Sequence, residues 1–460
     1  MGFAGGRCPP RSQGVNRTAE DIEKRVAKGD KRWLTKFFSS SHPADIAIIL
    51  DRADDPDKAW LFSLLSRGKA ADVLAEIGEE TARKILKGIE VKKLSGIVAE
   101  LESDEAADII GELSLAKREK VLRKVSPEQR VEIKQLLRYG EETAGGIMAT
   151  EYVAVNEQVT ADEAIEEIRA QADEVAEIYN VYVMDKDGSL VGHFPLKKLF
   201  LSSGQTKVSQ IIEPEVVKIT TDMDQEKVAN IFSKYDLVAV PVVDERGKLV
   251  GRITVDDVLD VMEEEFTEDM YKMAGSDGEE LLMSSPFKVA RIRLPWLSIC
   301  LFGEMISAGV IGYFSGTLRQ VIALAAFIPV IMAMGGNIGI QSSTITVRGI
   351  ATGRLDLSHR RKLLFREIQI GALMGVTCGA IVGLLAALRY TEYTLALVVG
   401  TAMFSAITVS ATIGLFIPLA FRYLKIDPAV AAGPFITTVN DIVGLGIYFF
   451  LATLMLGWLT

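Results

Sequence analysis

"PFITTVNDIVGLGIYFF", residues 434–450, is apolar enough to cross a bilayer except for Asn440 and Asp441 near its middle. A charge at the centre of a lipid-facing helix costs about 2.5–3.5 kcal/mol, so an acid there normally faces a bundle interior or water. The stretch therefore predicts a membrane helix that lines a polar, cation-attracting path. Four further apolar runs precede it, near residues 296–316, 321–347, 368–389 and 394–421, and the last span extends to about 458. Each is long enough to cross about 30 Å of hydrocarbon. Lys288, Arg291 and Arg293 lead into the first run, six basic residues from Arg348 to Arg366 separate the second from the third, and Arg422 and Lys425 separate the fourth from the fifth. Only Arg319 and Arg389 fall on the other side, so the soluble part is expected in the cytoplasm and Thr460 outside.

Charge divides the 460 residues at the same place. Residues 287–460 hold 13 basic and 6 acidic side chains, a net +7, while the preceding 286 hold 38 basic and 55 acidic, a net −17. An acidic soluble region joined to an apolar domain disfavours nucleic acid as a partner. Cys8, Cys300 and Cys378 offer neither metal spacing nor a disulfide framework, which fits a reducing compartment. The first residues lack an apolar signal core, and a poorly structured tail is expected over 1–40. No nucleophile elbow, phosphate loop or dinucleotide fingerprint occurs, and the three histidines (His42, His193, His359) are dispersed, so an enzyme is not expected.

The soluble region has two internal repeats. Over 41–143 the apolar residues recur at helical spacing, and the phrase Ala-Asp-apolar-apolar returns at Ala44, Ala71 and Ala107. This predicts stacked helical hairpins, an all-α superhelical domain. Over 144–262, "VYVMDKDGSLVGHFPLKKL" (181–199) overlays "VPVVDERGKLVGRITVDDV" (240–258) without a gap. Each copy reads as strand, D-x-x-G turn, strand and helix start, preceded by an amphipathic helix. The two units resemble an α/β cystathionine-β-synthase (CBS) domain pair. The alternative reading is a pair that only forms a dimer interface. An acidic helix and polar linker over 263–286 lead to the membrane domain of 287–460.

Two other intramembrane features need a reason. In "MAMGGNIGIQSST" (332–344) the paired glycines predict local unwinding, which would free carbonyls beside Asn337, Gln341, Ser342 and Ser343 to act with Asp441 as oxygen donors. The competing reading is that the glycines allow close helix packing. Glu304 is either a second pathway acid or a partner for Arg319 or a backbone group. An all-oxygen lining without His or Cys selects hard cations, and magnesium would be held largely hydrated. One Asp per chain is thin for a divalent ion, so two chains on a twofold axis, a homodimer with a central pore, are expected.

Taken together, "HPADIAIIL", "LESDEAADIIGEL", "EETAGGIMATEYVAV", "ITVDDVLDVMEEEFTEDMYKMAG", "PVIMAMGGNIGIQSSTITVRGIATG" and "GPFITTVNDIVGLGIYFF" resemble the MgtE family of bacterial magnesium channels and transporters. The resemblance covers nearly everything from about residue 40. It implies a homodimer in the inner cell membrane, with five membrane helices per chain and hydrated Mg2+ held on the twofold axis by Asp441. The Asn337 region and the backbone around Gly433 and Thr437 would complete that site. It further implies a cytosolic magnesium sensor that closes the pore, made of Asp104, Asp108, Asp224, Glu226, Asp236, Asp257, Asp260, Glu265, Glu268 and Asp269. Facing carboxylates repel unless a divalent ion bridges them, which suits such a role. Lys197-Lys198 stand where ATP-binding pairs of the family tend to carry Arg-Asp, and Pro195 is unexpected, whereas Thr254 and Asp257 are compatible with ATP. Two alternatives stay open: an ion-coupled carrier of magnesium, cobalt or manganese in which Glu304 titrates, and a membrane-anchored sensor without flux.

Overall fold

A computed structural model describes residues 22, 24–26, 28–172, 175, 178–276, 278, 280, 285–355, 360–390 and 392–455. The chain divides into two compact units, residues 1–259 and 260–460.

In the first unit, short helices succeed one another: α1 (Lys31–Ser40), α2 (Pro43–Arg52), α3 (Asp55–Ser63), α4 (Arg67–Glu76), α5 (Glu79–Gly88), α6 (Val91–Val98), α7 (Ser103–Gly111), α8 (Leu115–Leu122) and α9 (Pro127–Leu136). Local signals start them: Pro43 and Pro127 sit in first turns, and Glu102 and Glu105 close a capping box on α7. From α2 onward the helices pack mainly on the one two further along, α2 on α4, α3 on α5, α4 on α6, α6 on α8 and α7 on α9, which is how a superhelical stack buries faces that no single helix could bury. The three Ala-Asp phrases fall on α2, α4 and α7, where Ile46, Val73 and Ile110 enter the core. One expectation is corrected: the tail predicted through residue 40 gives way to helix α1. Asp30 caps that helix, and Leu34 and Phe38, four apart, bury the apolar stripe that holds it down. Residues 1–21, the bulk of the expected tail, lie outside the described residues.

Two matching three-stranded sheets follow, β1 (Ala154–Asn156), β2 (Asn180–Met184) and β3 (Leu190–Pro195), then β4 (Ile219–Thr220), β5 (Ala239–Val243) and β6 (Leu249–Thr254). In both, the first pair is parallel and the second antiparallel, with a bulge at the same place, Val183/Met184 and Val242/Val243. The D-x-x-G turns are built alike: Asp185 Oδ1 accepts from the Asp187 and Ser189 amides, Asp244 Oδ1 from those of Arg246 and Lys248. Gly188 and Gly247 supply the φ of +81° and +80° that a side chain would resist. The turns also meet, Leu190 N donating to Gly247 O and Leu249 N to Gly188 O, so the copies face each other about a local twofold. Helices α10 (Ala161–Gln171), α11 (Leu196–Leu201), α12 (Val208–Ile211) and α13 (Gln225–Tyr235) complete the pair. Helix α14 (Val255–Met273) then runs across the boundary between units.

The second unit holds α15 (Pro286–Tyr313), α16 (Ser315–Gln320), α17 (Ile328–Ala351), α18 (Arg360–Tyr390), α19 (Tyr393–Tyr423) and α20 (Pro434–Leu454). Five helical segments are long and apolar enough to span a membrane. Helices α18 and α19 pack backbone to backbone because Gly371, Gly375, Gly379 and Gly383 recur every four residues along one face. A methyl on Gly379 would lie 2.6 Å from Gly400 O. Helix α20 lies at the centre, packed by α15, α17 and α19, and its Tyr448 hydroxyl donates to Leu324 O.

Candidate functional site

Helix α20 carries Asn440 and Asp441 into the bundle, where they are 1 % and 6 % exposed. Asn440 is aimed at α17: a methyl on Gly339 would lie 1.8 Å from its Nδ2, and one on Gly336 would lie 3.3 Å from Thr437 Cγ2. This corrects the predicted unwinding. Helix α17 is continuous through Gly335-Gly336, and its glycines serve close approach to α19 and α20 instead. Burial leaves a set of oxygens and nitrogens without hydrogen-bond partners among the described residues: both side-chain polar atoms of Asn440, Asp441 Oδ1, and the hydroxyls of Ser307, Ser343 and Ser410. Groups of this kind cost free energy in a dry interior and are suited to meeting a hydrated cation.

The other predicted pathway residues fall differently. Asn337 is exposed, on a stripe with Gln341 and Thr344, while Gly336, Gly339 and Ser343 face the bundle. Within one chain the fold does not bring Asn337 to Asp441. Thr437 is half-buried one turn before Asp441. Gly433 lies against the end of α14, where a methyl in place of its hydrogen would come within 1.9 Å of Met273 O, so no side chain fits. Glu304, left open by the sequence, is the hydrogen-bonding and electrostatic neighbour of Asp441.

In the first unit the structure gathers Asp104 and Glu105, in the first turn of α7, with Asp257, in the first turn of α14. Burial and the Asp257 charge push the Asp104 carboxyl well above the usual range, against an opposing bond from the Glu105 amide. Burial pushes Glu105 up to about 7. Asp257 is raised too, by burial, although Thr254 donates to it from both N and Oγ1 at 3.0 and 2.6 Å. Ser103 ties the same region together, donating to Glu151 and accepting from the Thr150 amide. Glu105, Glu102 and Arg252, which pairs with Glu102 at 3.5 Å, were missed from sequence. The E-S-D-E spelling of a capping box was the available signal. Asp108 is exposed on the next turn of α7.

Asp224 and Asp236 lie at opposite ends of α13, as N-cap and as left-handed C-cap with φ of 52°. Twelve steps of 1.5 Å along the helix separate them by about 18 Å, too far to share one ion within a chain. Glu226 is half-buried near the first of them.

In the second unit, Glu268 and Asp269 on α14 meet Asp427, which precedes α20. Lys272 Nζ bridges Glu268 at 2.5 Å and Asp427 at 2.7 Å. Burial opposes the Lys272 charge, but these two carboxylates outweigh it and raise its pKa. Asp269 is pushed up to about 6 by burial and by Asp427. Glu265 adds a like charge nearby, and Arg348 lies over the Phe266 ring. Asp260 is exposed. Lys272 and Asp427 were not among the sequence candidates. Among the described residues, no three His, Cys, Asp or Glu side chains converge tightly enough to chelate a bare ion. Loose carboxylate groups of this sort suit an ion that keeps its water.

Between the CBS copies, Val153, Ile178, Tyr182, Ala239 and Arg252 line a small cleft. Lys198 is committed to Glu213 at 2.6 Å, and Thr254 to Asp257.

Comparison with known proteins converges on one family. The divalent cation transporter domain of MgtE matches residues 328–451, the MgtE intracellular N domain residues 41–142, and the CBS domain residues 208–264. The chain is 35 % identical to "Magnesium transporter MgtE" of Thermus thermophilus, over 95 % of this chain and 98 % of that protein. It is 31 % identical to the protein of the same name from Bacillus subtilis, with the same coverage. A crystal structure described as the cytosolic domain of the Mg2+ channel MgtE in complex with ATP superposes with a TM-score of 0.50 at 36 % identity, covering 53 % of this chain and 99 % of that one.

Proposed function

The chain belongs to the MgtE family of divalent cation transporters, a multi-pass membrane protein of magnesium transport, and on that premise we propose how it works. It is a magnesium channel in which ions run down their electrochemical gradient past Asp441, with no covalent chemistry. The observation that carries this reading is Asp441 itself, buried at mid-helix with Oδ1 unpartnered among the described residues and with the Glu304 carboxyl beside it. Thr437 and the backbone at Gly433 precede it along α20. Two chains assemble as a homodimer with the pore between protomers, a reading supported by the exposed polar stripe of Asn337 and Gln341 on α17. Lipid surrounds the apolar faces, the soluble domains are cytoplasmic, and the C-terminus is outside.

Cytosolic magnesium gates the pore. Asp104 and Asp257 in one cluster, and Glu268 and Asp269 in another, are held against like charges that an ion would relieve. Asp260 and Glu265 extend the acidic face of α14. Asp224, Glu226 and Asp236, at the two ends of α13, serve contacts other than these clusters, whereas Asp108 lies one turn past Asp104 on α7. Removing magnesium raises the repulsion and frees the gate. The solved relative in complex with ATP favours nucleotide binding in the cleft at Arg252, against the Lys197-Lys198 departure and the engagement of Thr254.

The test is magnesium flux into dye-loaded proteoliposomes, wild type beside Asp441→Ala, with magnesium varied independently on each side. Wild-type flux that high magnesium on the sensor side shuts, and that falls about tenfold or more or loses divalent preference in Asp441→Ala, is expected. Equal flux in both proteins would remove Asp441 from the pathway. Flux that requires a proton or sodium gradient would replace the channel with a carrier.

A further inference from the structure

Gly303 marks the closest approach of α15 to α20, since a methyl there would lie 1.8 Å from Thr438 Cγ2. That contact sets the next residue, Glu304, level with Asp441, one turn beyond Thr438. The two carboxyls are within hydrogen-bonding reach of each other, and Glu304 is half-buried rather than turned to lipid. Asp441 still keeps Oδ1 buried and unpartnered among the described residues, and so does the hydroxyl of Ser307, 2 % exposed and one turn past Glu304 on α15. Two carboxyls this close in a low-dielectric setting can both be charged only with a cation between them; otherwise they share a proton. A carboxylate pair with free oxygen and hydroxyl groups beside it offers a divalent ion two negative charges from a single chain, and a longer Glu arm can reach the ion's water shell.

We propose that Glu304 is a second acidic ligand of the ion pathway, paired with Asp441 in the same chain, and that the pair sets the preference for a divalent over a monovalent cation. The inference rests on the reading of Asp441 as the pathway carboxylate.

The experiment is initial magnesium flux in proteoliposomes against magnesium concentration, with and without excess potassium, for wild type, Glu304→Gln, Glu304→Asp and Asp441→Asn, each checked for its melting temperature in detergent. Glu304→Gln keeps the size and hydrogen bonding but drops the charge. It should raise half-saturating magnesium ~10-fold and let potassium compete, while Glu304→Asp stays within ~3-fold of wild type. Flux in Glu304→Gln within twofold of wild type, with selectivity intact, would overturn the proposal. So would equal failure of Glu304→Gln and Glu304→Asp with lowered melting in both, the mark of a helix latch. If Asp441→Asn is impaired while Glu304→Gln is not, only this inference falls. If Asp441→Asn behaves as wild type, the pathway reading falls with it.

Discussion

Protons should substitute for magnesium at the Asp104, Glu105 and Asp257 cluster. Glu105 is raised from an ordinary 4.5 to about 7, by burial first and then by neighbouring acids. The folded state therefore holds a proton that the unfolded chain releases between these values. Stability from this group is full below about pH 4.5, declines as pH rises, and is lost above about 7. A displacement of about 2.5 units at 1.36 kcal/mol each corresponds to about 3 kcal/mol, nearer 2 once water reaching the half-buried side chain is allowed for. For a unit of this size each kcal/mol moves the melting temperature by about 2–4 °C, so the cytosolic transition should fall by about 4–12 °C between pH 5 and pH 8 without magnesium.

The assay is scanning calorimetry of the full-length protein in detergent, following the cytosolic transition in chelator or in millimolar magnesium across that range. Glu105→Gln serves as the reference that subtracts other titrating groups. Magnesium should recover most of the lost stability at pH 8 and little at pH 5, where protons already neutralise the cluster, and the contrast should shrink in Glu105→Gln. A magnesium shift as large at pH 5 as at pH 8, or identical pH profiles for wild type and Glu105→Gln, would refute the reasoning.

Gly339→Ala should cost about 1–3 kcal/mol by forcing Asn440 aside, and lower both the detergent melting temperature and flux, whereas Gly446→Ala, with open space around its Cβ, should be silent. Equal melting of the two variants would count against the close α17–α20 contact. Lys272→Met removes the ammonium between Glu268 and Asp427 and leaves those carboxylates and Asp269 facing each other. Gating should become more steeply magnesium-dependent, with flux at low magnesium raised about twofold or more. An unchanged inhibition curve would show that Lys272 has no part in the gate.

Much of this was legible in the sequence because it is periodic. Five apolar runs, two superposable β-units and a helical stack announce themselves through spacing, and Asp441 stands out because charge is costly in hydrocarbon. What failed was direction. A polar stretch such as 332–344 does not reveal which side of its helix meets neighbours, so sequence alone groups Asn337 with Ser343 although the helical period separates them. Paired glycines serve unwinding or close packing equally well until Asn440 is known to occupy the space opposite Gly339. Glu105 is hidden by its ordinary role in a capping box, and Asp427 lies 155 residues from Lys272, beyond the reach of any local pattern.

The two cytosolic clusters differ in a way that bears on their order of response. In the first, Arg252 lies near Asp257 but forms its ion pair with Glu102, so Asp104 and Glu105 are buried with like charges and remain raised. In the second, Lys272 is inserted between Glu268 and Asp427, and burial and Asp427 raise Asp269 to about 6. A resident cation lowers the repulsion that an arriving ion can relieve, so less of the binding energy of magnesium is released there. On the proposed reading the first cluster gains more from magnesium and holds the ion to lower concentration, so as the ion is withdrawn the second should release it first. Lys272→Met tests the same logic from the other side, because without the ammonium the second cluster acquires the dependence of the first.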